Sequence, residues 1–180
     1  GYHRRGSTEP LHDGTDARNR LFAQGRPGDD FPRFFDAAPR LGLNDNAASL
    51  GAAWGDLDGD GIIDVVVANQ EGARATVRRG LGHGEAQDPG ALRLRLVGTE
   101  SAREALGAHI VAEVCGTARL RTLGTGPSVF SQGERVVHLA LQGCTEEIAV
   151  SVVWPNGAVE EFEVVADARQ VVTLVQGSGL

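Results

Sequence analysis

At 180 residues, 41% hydrophobic and 23% charged, the chain has the composition of a soluble globular protein of one domain or two small ones. A net charge of -7 excludes a general nucleic-acid surface and suits a cation ligand. No apolar run approaches the roughly 20 residues of a membrane span.

Residues 1–18 are polar and aperiodic and are expected to form a flexible arm; His3 and His12 fall in it and carry no metal signal. Met is absent, so Gly1 is expected to be either a processed terminus, compatible with a removed leader, or an added residue. Asn19-Arg20-Leu21-Phe22 reads as a short strand, followed by a Gly/Pro/Asp loop and by the segments Phe34-Phe35-Asp36-Ala37-Ala38 and Leu41-Gly42-Leu43.

Asp56-Leu57-Asp58-Gly59-Asp60-Gly61-Ile62-Ile63-Asp64 comes next. Its carboxylates stand at positions 1, 3, 5 and 9 of a loop that turns through Gly59 and Gly61. Alternate spacing aims Asp56, Asp58 and Asp60 at one centre, and Ca2+ takes six to eight such oxygens. The expected ligands are Asp56, Asp58, Asp60 and Asp64 with the backbone carbonyl of Ile62 at position 7. Two carboxylates about 5 Å apart repel by roughly 3 kcal/mol at an effective dielectric near 20, so an ordered loop of this kind calls for a cation. A helix-loop-helix site needs Glu at position 12, where this chain has Val67. Val65-Val66-Val67-Ala68 is β-branched and reads as a buried strand, so the loop joins two strands. After a turn at Gln70-Glu71-Gly72, Ala75 to Arg79 is expected to be another strand, ending at Gly80. Residues 81–90 are a linker by composition, with His83 facing solvent.

From residue 91 the pattern becomes regular alternation. Leu92, Leu94 and Leu96 share one face, as do Ile110, Ala112 and Val114, then Val137, Leu139 and Leu141, then Ile148, Val150, Val152 and Trp154. Leu120 lies between Arg119 and Arg121, Phe162 and Val164 oppose Glu161 and Glu163, and a last strand runs through Val171 to Val175. Period two predicts seven half-buried antiparallel strands in a sandwich or barrel. Pro155-Asn156-Gly157 reads as a hairpin turn. Cys115 and Cys144 are either one disulfide or two buried thiols; up-and-down strands would put both at the same end of the sandwich, and alternate connectivity would separate them.

Residues 51–69 resemble the FG-GAP/VCBS repeats of β-propellers, whose hairpins carry the same acidic loop. The order from Asn19-Arg20-Leu21-Phe22 to Gly80 resembles one such blade, which implies a calcium-loop hairpin in a propeller-blade-like antiparallel segment over 19–80. A propeller needs about four to eight blades, so further blades, self-association or a partner at the N-terminal half are expected. The second half resembles the ASPIC/UnbV domain of cartilage acidic protein and enediyne biosynthesis proteins. The residues that carry this are Leu92 to Thr99, Ser101-Ala102-Arg103-Glu104-Ala105-Leu106-Gly107-Ala108, Ser131-Gln132 and Trp154-Pro155-Asn156-Gly157. It implies a β domain over 91–177 and no set of catalytic residues.

Nothing in the chain forms a nucleophile with a base and an orienting group. Ser128, Ser131 and His138 are close in sequence, but His138 alternates with Val137 and Leu139 and is expected to face solvent or a second layer. Glu160, Glu161 and Glu163 read as a solvated face, and Arg93, Arg95, Arg119 and Arg121 as an arginine-bearing sheet face set against those glutamates or an acidic ligand. The function expected is a calcium-stabilised, non-catalytic binding module for a protein or glycan, extracellular or periplasmic. The alternative, implied by the enediyne resemblance, is a cytoplasmic enzyme or accessory protein of secondary-metabolite biosynthesis with a small-molecule ligand.

Overall fold

A computed structural model describes residues 18–24, 34–70, 74–80, 91–124, 131–141, 143–144, 147–165 and 170–180. The arm up to residue 17, the linker at 81–90 with His83, and Ser128 lie outside the described residues. The chain divides into two compact units, Gly1–Gly51 with Val67–Arg78 and Ala52–Val66 with Arg79–Leu180.

In the first unit, β1 (Phe22–Gln24) pairs antiparallel with β2 (Phe34–Asp36). The strand expected from Asn19 begins only at Phe22, because the Leu21 N–H is taken by Asp36 Oδ1 at 3.2 Å. The same oxygen accepts the Ala38 N–H at 3.0 Å and so starts the one-turn helix α1 (Ala38–Leu41). A three-stranded sheet follows in the order β3 (Ser49–Gly55), β4 (Asp64–Asn69), β5 (Thr76–Arg78). Strands β3 and β4 pass from one unit into the other, and the acidic loop joins their ends in the second unit. Asn69 closes the far end: its Oδ1 accepts from Ser49 Oγ at 2.8 Å and its Nδ2 donates to the Arg74 carbonyl at 2.9 Å.

The second unit holds the seven strands that alternation predicts: β6 (Ala91–Val97), β7 (His109–Val114), β8 (Thr117–Thr122), β9 (Val137–Ala140), β10 (Glu147–Val153), β11 (Val159–Val165) and β12 (Val171–Val175). They form a four-stranded sheet, β11-β10-β7-β8, and a three-stranded sheet, β12-β6-β9. Leu92, Leu94, Leu96, Val137, Leu139 and Leu174 from the second sheet join Ile110, Ala112, Val114, Ile148, Val150, Val152, Phe162 and Val164 from the first in one core. The architecture is an open sandwich, and neither sheet closes into a barrel.

Four expectations need correction. Strand β12 pairs with β6 in parallel, Val171 opposite Arg93, because the chain crosses from the edge strand of one sheet to the edge of the other. Leu120 is exposed, since it stands opposite Val111 on the outer face of the four-stranded sheet, while Arg119 and Arg121 stand opposite the buried Ala112 and Ile110. The arginines do not share a face: Arg93 and Arg95 lie on β6 of one sheet, Arg119 and Arg121 on β8 of the other. Nor can Arg119 and Arg121 meet the glutamates of β11, which is the opposite edge of that same sheet. Glu160 also departs from a solvated face, since its carboxylate accepts the Gly177 N–H at 2.9 Å.

Cys115 and Cys144 form a disulfide with Cα atoms 5.9 Å apart, which resolves the alternatives left by their spacing. Cys115 and Gly116 both have positive φ (43° and 73°) in the two-residue turn from β7 to β8. Asparagine more often fills the first place of such a turn; here the bond to Cys144 holds a cysteine in it.

Candidate metal centre

The acidic loop belongs to the second unit. Its curvature comes from Gly59 and Gly61, at φ 80° and 89°, a region that L-residues with a Cβ disfavour. Those turns point backbone N–H groups inward. Asp56 Oδ1 accepts from Gly59 N at 2.8 Å and from Asp60 N at 3.1 Å, and Asp56 Oδ2 accepts from Gly61 N at 3.0 Å. Asp64 is almost wholly buried; its Oδ2 accepts from Leu57 N at 2.9 Å and its Oδ1 from Gly80 N at 2.8 Å. Gly80 comes so close that a Cβ there would meet the Ile63 carbonyl oxygen at 2.4 Å. The glycine that ends the expected strand therefore locks the back of the loop.

Oxygen atoms of Asp56, Asp58 and Asp64 all lie within 4.8 Å of one another, so these three carboxylates could hold a metal ion. Only oxygen is offered, which suits a hard cation. Asp60 is not in that group. Its Oδ1 accepts the Ile62 N–H at 2.8 Å within the turn.

Two arginines stand on the loop. Arg79 pairs with Asp58 Oδ2 and lies 3.9 Å from Asp60 Oδ2. Arg93 pairs with Asp56 Oδ2, and both side chains are buried, at 6% and 0% exposure. Arg93 points away from the sandwich core, being flanked by Leu92 and Leu94 that point into it. The loop therefore covers the outer face of β6 at this point. Burial acts to raise the Asp56 pKa, but the N–H groups of Gly61 and Gly59, the Arg93 charge and the Asp60 N–H together hold it below its ordinary value. The repulsion among the carboxylates is thus relieved in part by guanidinium groups of the chain itself. Among the described residues, four carboxylates against two arginines still leave an excess of two negative charges.

A second set of contacts ties residues 52–56 to residues 131–138. Ser131 Oγ donates to the Ala52 carbonyl at 2.6 Å, Glu134 N to the Trp54 carbonyl at 3.0 Å, and Asp56 N to Glu134 Oε2 at 3.1 Å. His138 Nε2 lies 3.1 Å from the same Glu134 oxygen, and His138 sits opposite Arg93 in the β6–β9 register. His138 is thus largely withdrawn from solvent, with 10% of its side chain exposed and Glu134 against its ring. Beside it runs a cleft of about 590 Å3 lined by Trp54, Ile63, Arg121, Glu134, Val136 and His138, among others.

Of the residues expected at the site, the structure brings together Asp56, Asp58 and Asp64. Arg79, Arg93, Gly80 and Glu134 are additions. An arginine alternating with leucines on a strand is legible as outward-facing, but the cover it finds there leaves no sign in the local sequence.

Residues 98–180 match the ASPIC and UnbV family model. This agrees with the resemblance over the second half and does not extend to residues 19–80, where no FG-GAP/VCBS repeat is detected. No curated protein matches the chain.

Proposed function

We propose that this protein is a calcium-stabilised, non-catalytic interaction module. The observation that carries the reading is the convergence of Asp56, Asp58 and Asp64 within 4.8 Å. Asp56, Asp58 and Asp64 would hold the ion, and a bound dication would supply the charge that the two arginines leave uncompensated. Calorimetry on chelator-treated protein should find one Ca2+ site, with Mg2+ much weaker, because Mg2+ demands near-ideal octahedral geometry and gives up its waters reluctantly. At a hundredfold excess over Kd the folded state gains about 2.7 kcal/mol. No heat and no rise in Tm with Ca2+ would sink the calcium reading.

Export is supported by the Cys115–Cys144 bond, since disulfides persist mainly in oxidising compartments. The partner surface we assign to the first unit, read as one blade of a propeller-like repeat. Phe22, Phe34 and Phe35 on β1 and β2 are all more than half exposed, and a two-stranded sheet is at best marginally stable by itself. Self-association or capture of a protein or glycan partner would cover them.

A second reading, an accessory role toward a small molecule in secondary metabolism, is favoured by the cleft beside Trp54. Its volume of about 590 Å3 is of ligand size. Trp154 is buried in the core, so tryptophan fluorescence that responds to solutes reports on Trp54. Saturable quenching by a small aromatic ligand that disappears in Trp54→Phe would favour this second role.

A further inference from the structure

The Asp56 carboxylate is fully engaged. A carboxylate offers about four lone-pair sites. Gly59 N, Asp60 N and Gly61 N take three, and Arg93 takes a fourth. Asp58 and Asp64 show two donors each: Asp60 N and Arg79 on the first, Leu57 N and Gly80 N on the second. Counting the described residues, Asp58 and Asp64 therefore have oxygen lone pairs to spare, and Asp56 has none. The three backbone donors on Asp56 are the turn itself and cannot leave without unwinding it. Among the described residues, Arg93 is the one donor on Asp56 from outside the loop.

We infer that Arg93 is the resident cation of this loop and competes directly with a metal ion for Asp56. The inference rests on the calcium reading above and adds what sets the affinity of that site. Arg93 clamps the loop to the outer face of β6, and the clamp and full three-carboxylate coordination exclude each other. Arg93 is 5% exposed, and its Nε finds no partner among the described residues. Releasing the guanidinium from Asp56 therefore carries a desolvation cost, which lowers the affinity of the loop for any cation. Arg79 acts in the same sense at Asp58, more weakly, because its side chain is 68% exposed and screened by water. Linkage makes the effect reciprocal: a metal on Asp56 loosens the clamp by the factor by which the clamp weakens the metal. The loop is thus a device that trades an internal salt bridge for an external ion.

The experiment is Ca2+ calorimetry on chelator-treated wild type, Arg93→Gln and Arg79→Gln, with Tm measured in chelator and in Ca2+. Removing a charge-assisted bond from the competing side should tighten Ca2+ binding about tenfold or more in Arg93→Gln. Arg79→Gln should tighten it by about fivefold at most. Arg93→Gln should also have the lower Tm in chelator and the larger gain in Tm from Ca2+. A residue that merely supports the fold would weaken binding when replaced, so tighter binding in a less stable protein is diagnostic. Equal affinities in all three proteins overturn the competition and leave the calcium reading standing. Weaker binding in Arg93→Gln likewise overturns it. Absence of binding in all three defeats the calcium reading itself. Should Arg93→Gln fail to fold in chelator and in Ca2+ alike, Arg93→Lys and Arg79→Gln decide: Lys keeps a point charge but loses the planar fork, so the Lys variant should also bind more tightly than wild type, and equal or weaker binding in both rejects the competition.

Discussion

The sandwich and the β1–β2 pair are built from similar residues and treat them in opposite ways. In the sandwich, Leu92, Leu94, Leu139, Ile148 and Val150 are completely buried, because each sheet supplies the other with a second apolar layer. On β1 and β2, Phe22, Phe34 and Phe35 keep 60%, 63% and 51% of their surface in water. Burial yields about 25 cal/mol per Å2 only when a facing surface exists. A strand therefore becomes a stable element by the company it keeps, and the sandwich carries its own.

The sharpest way to test this contrast is to hollow out the sandwich. Trp154, at 1% exposure, packs in its core, and Trp154→Ala should cost about 3–5 kcal/mol in a denaturant melt. Opening the Cys115–Cys144 bond should come next. It closes a separation of 29 residues, and Cys144→Ser should lower stability by roughly 3–4 kcal/mol in the chain-entropy model, with mass spectrometry confirming the bond in the parent. A smaller effect is expected at the loop. Asp64→Ala removes a buried acceptor of two backbone N–H groups and should cost about 1.5–3 kcal/mol in chelator. Asp60→Ala, which removes an exposed turn contact, should cost less than about 1 kcal/mol in chelator. Similar losses at Asp60 and Asp64 would show that the loop is not organised as described. The smallest effect on stability is expected at Phe35→Ser, within about 0.5 kcal/mol, since the side chain is half exposed. Light scattering should show that this substitution weakens association. A monomeric parent would remove the partner from the comparison, and a Phe35→Ser protein as unstable as Trp154→Ala would erase the contrast altogether.

Much of the sandwich was legible in the sequence, because period two is a property of an extended backbone against one apolar layer. Leu92, Leu94 and Leu96 on β6, and Ile148, Val150 and Val152 on β10, are buried as their alternation requires. Leu120 shows where that signal stops. It alternates as well as the others, yet it is exposed, since the register with β7 sets it beside Val111 on the outer face of the sheet, and only the pairing decides which phase of an alternation faces inward. The acidic loop divides in the same way. Asp56, Asp58 and Asp64 were readable from spacing, and they converge. Asp60 has the same spacing but lies outside that group, with its Oδ1 on the Ile62 N–H.

From sequence alone, the chain determined a two-glycine acidic turn between strands and seven alternating strands after it. These are local features, set by backbone freedom at Gly59 and Gly61 and by the two-residue repeat of a strand. The tertiary structure alone decided what neutralises the turn. Arg93 reaches Asp56 across 37 positions of sequence, and it does so because β6 turns Arg93 outward beneath the loop while Leu92 and Leu94 turn inward. A charge on a strand has no preferred partner until the strand order and the covering segment place one against it, and that placement depends on burial summed over the whole core.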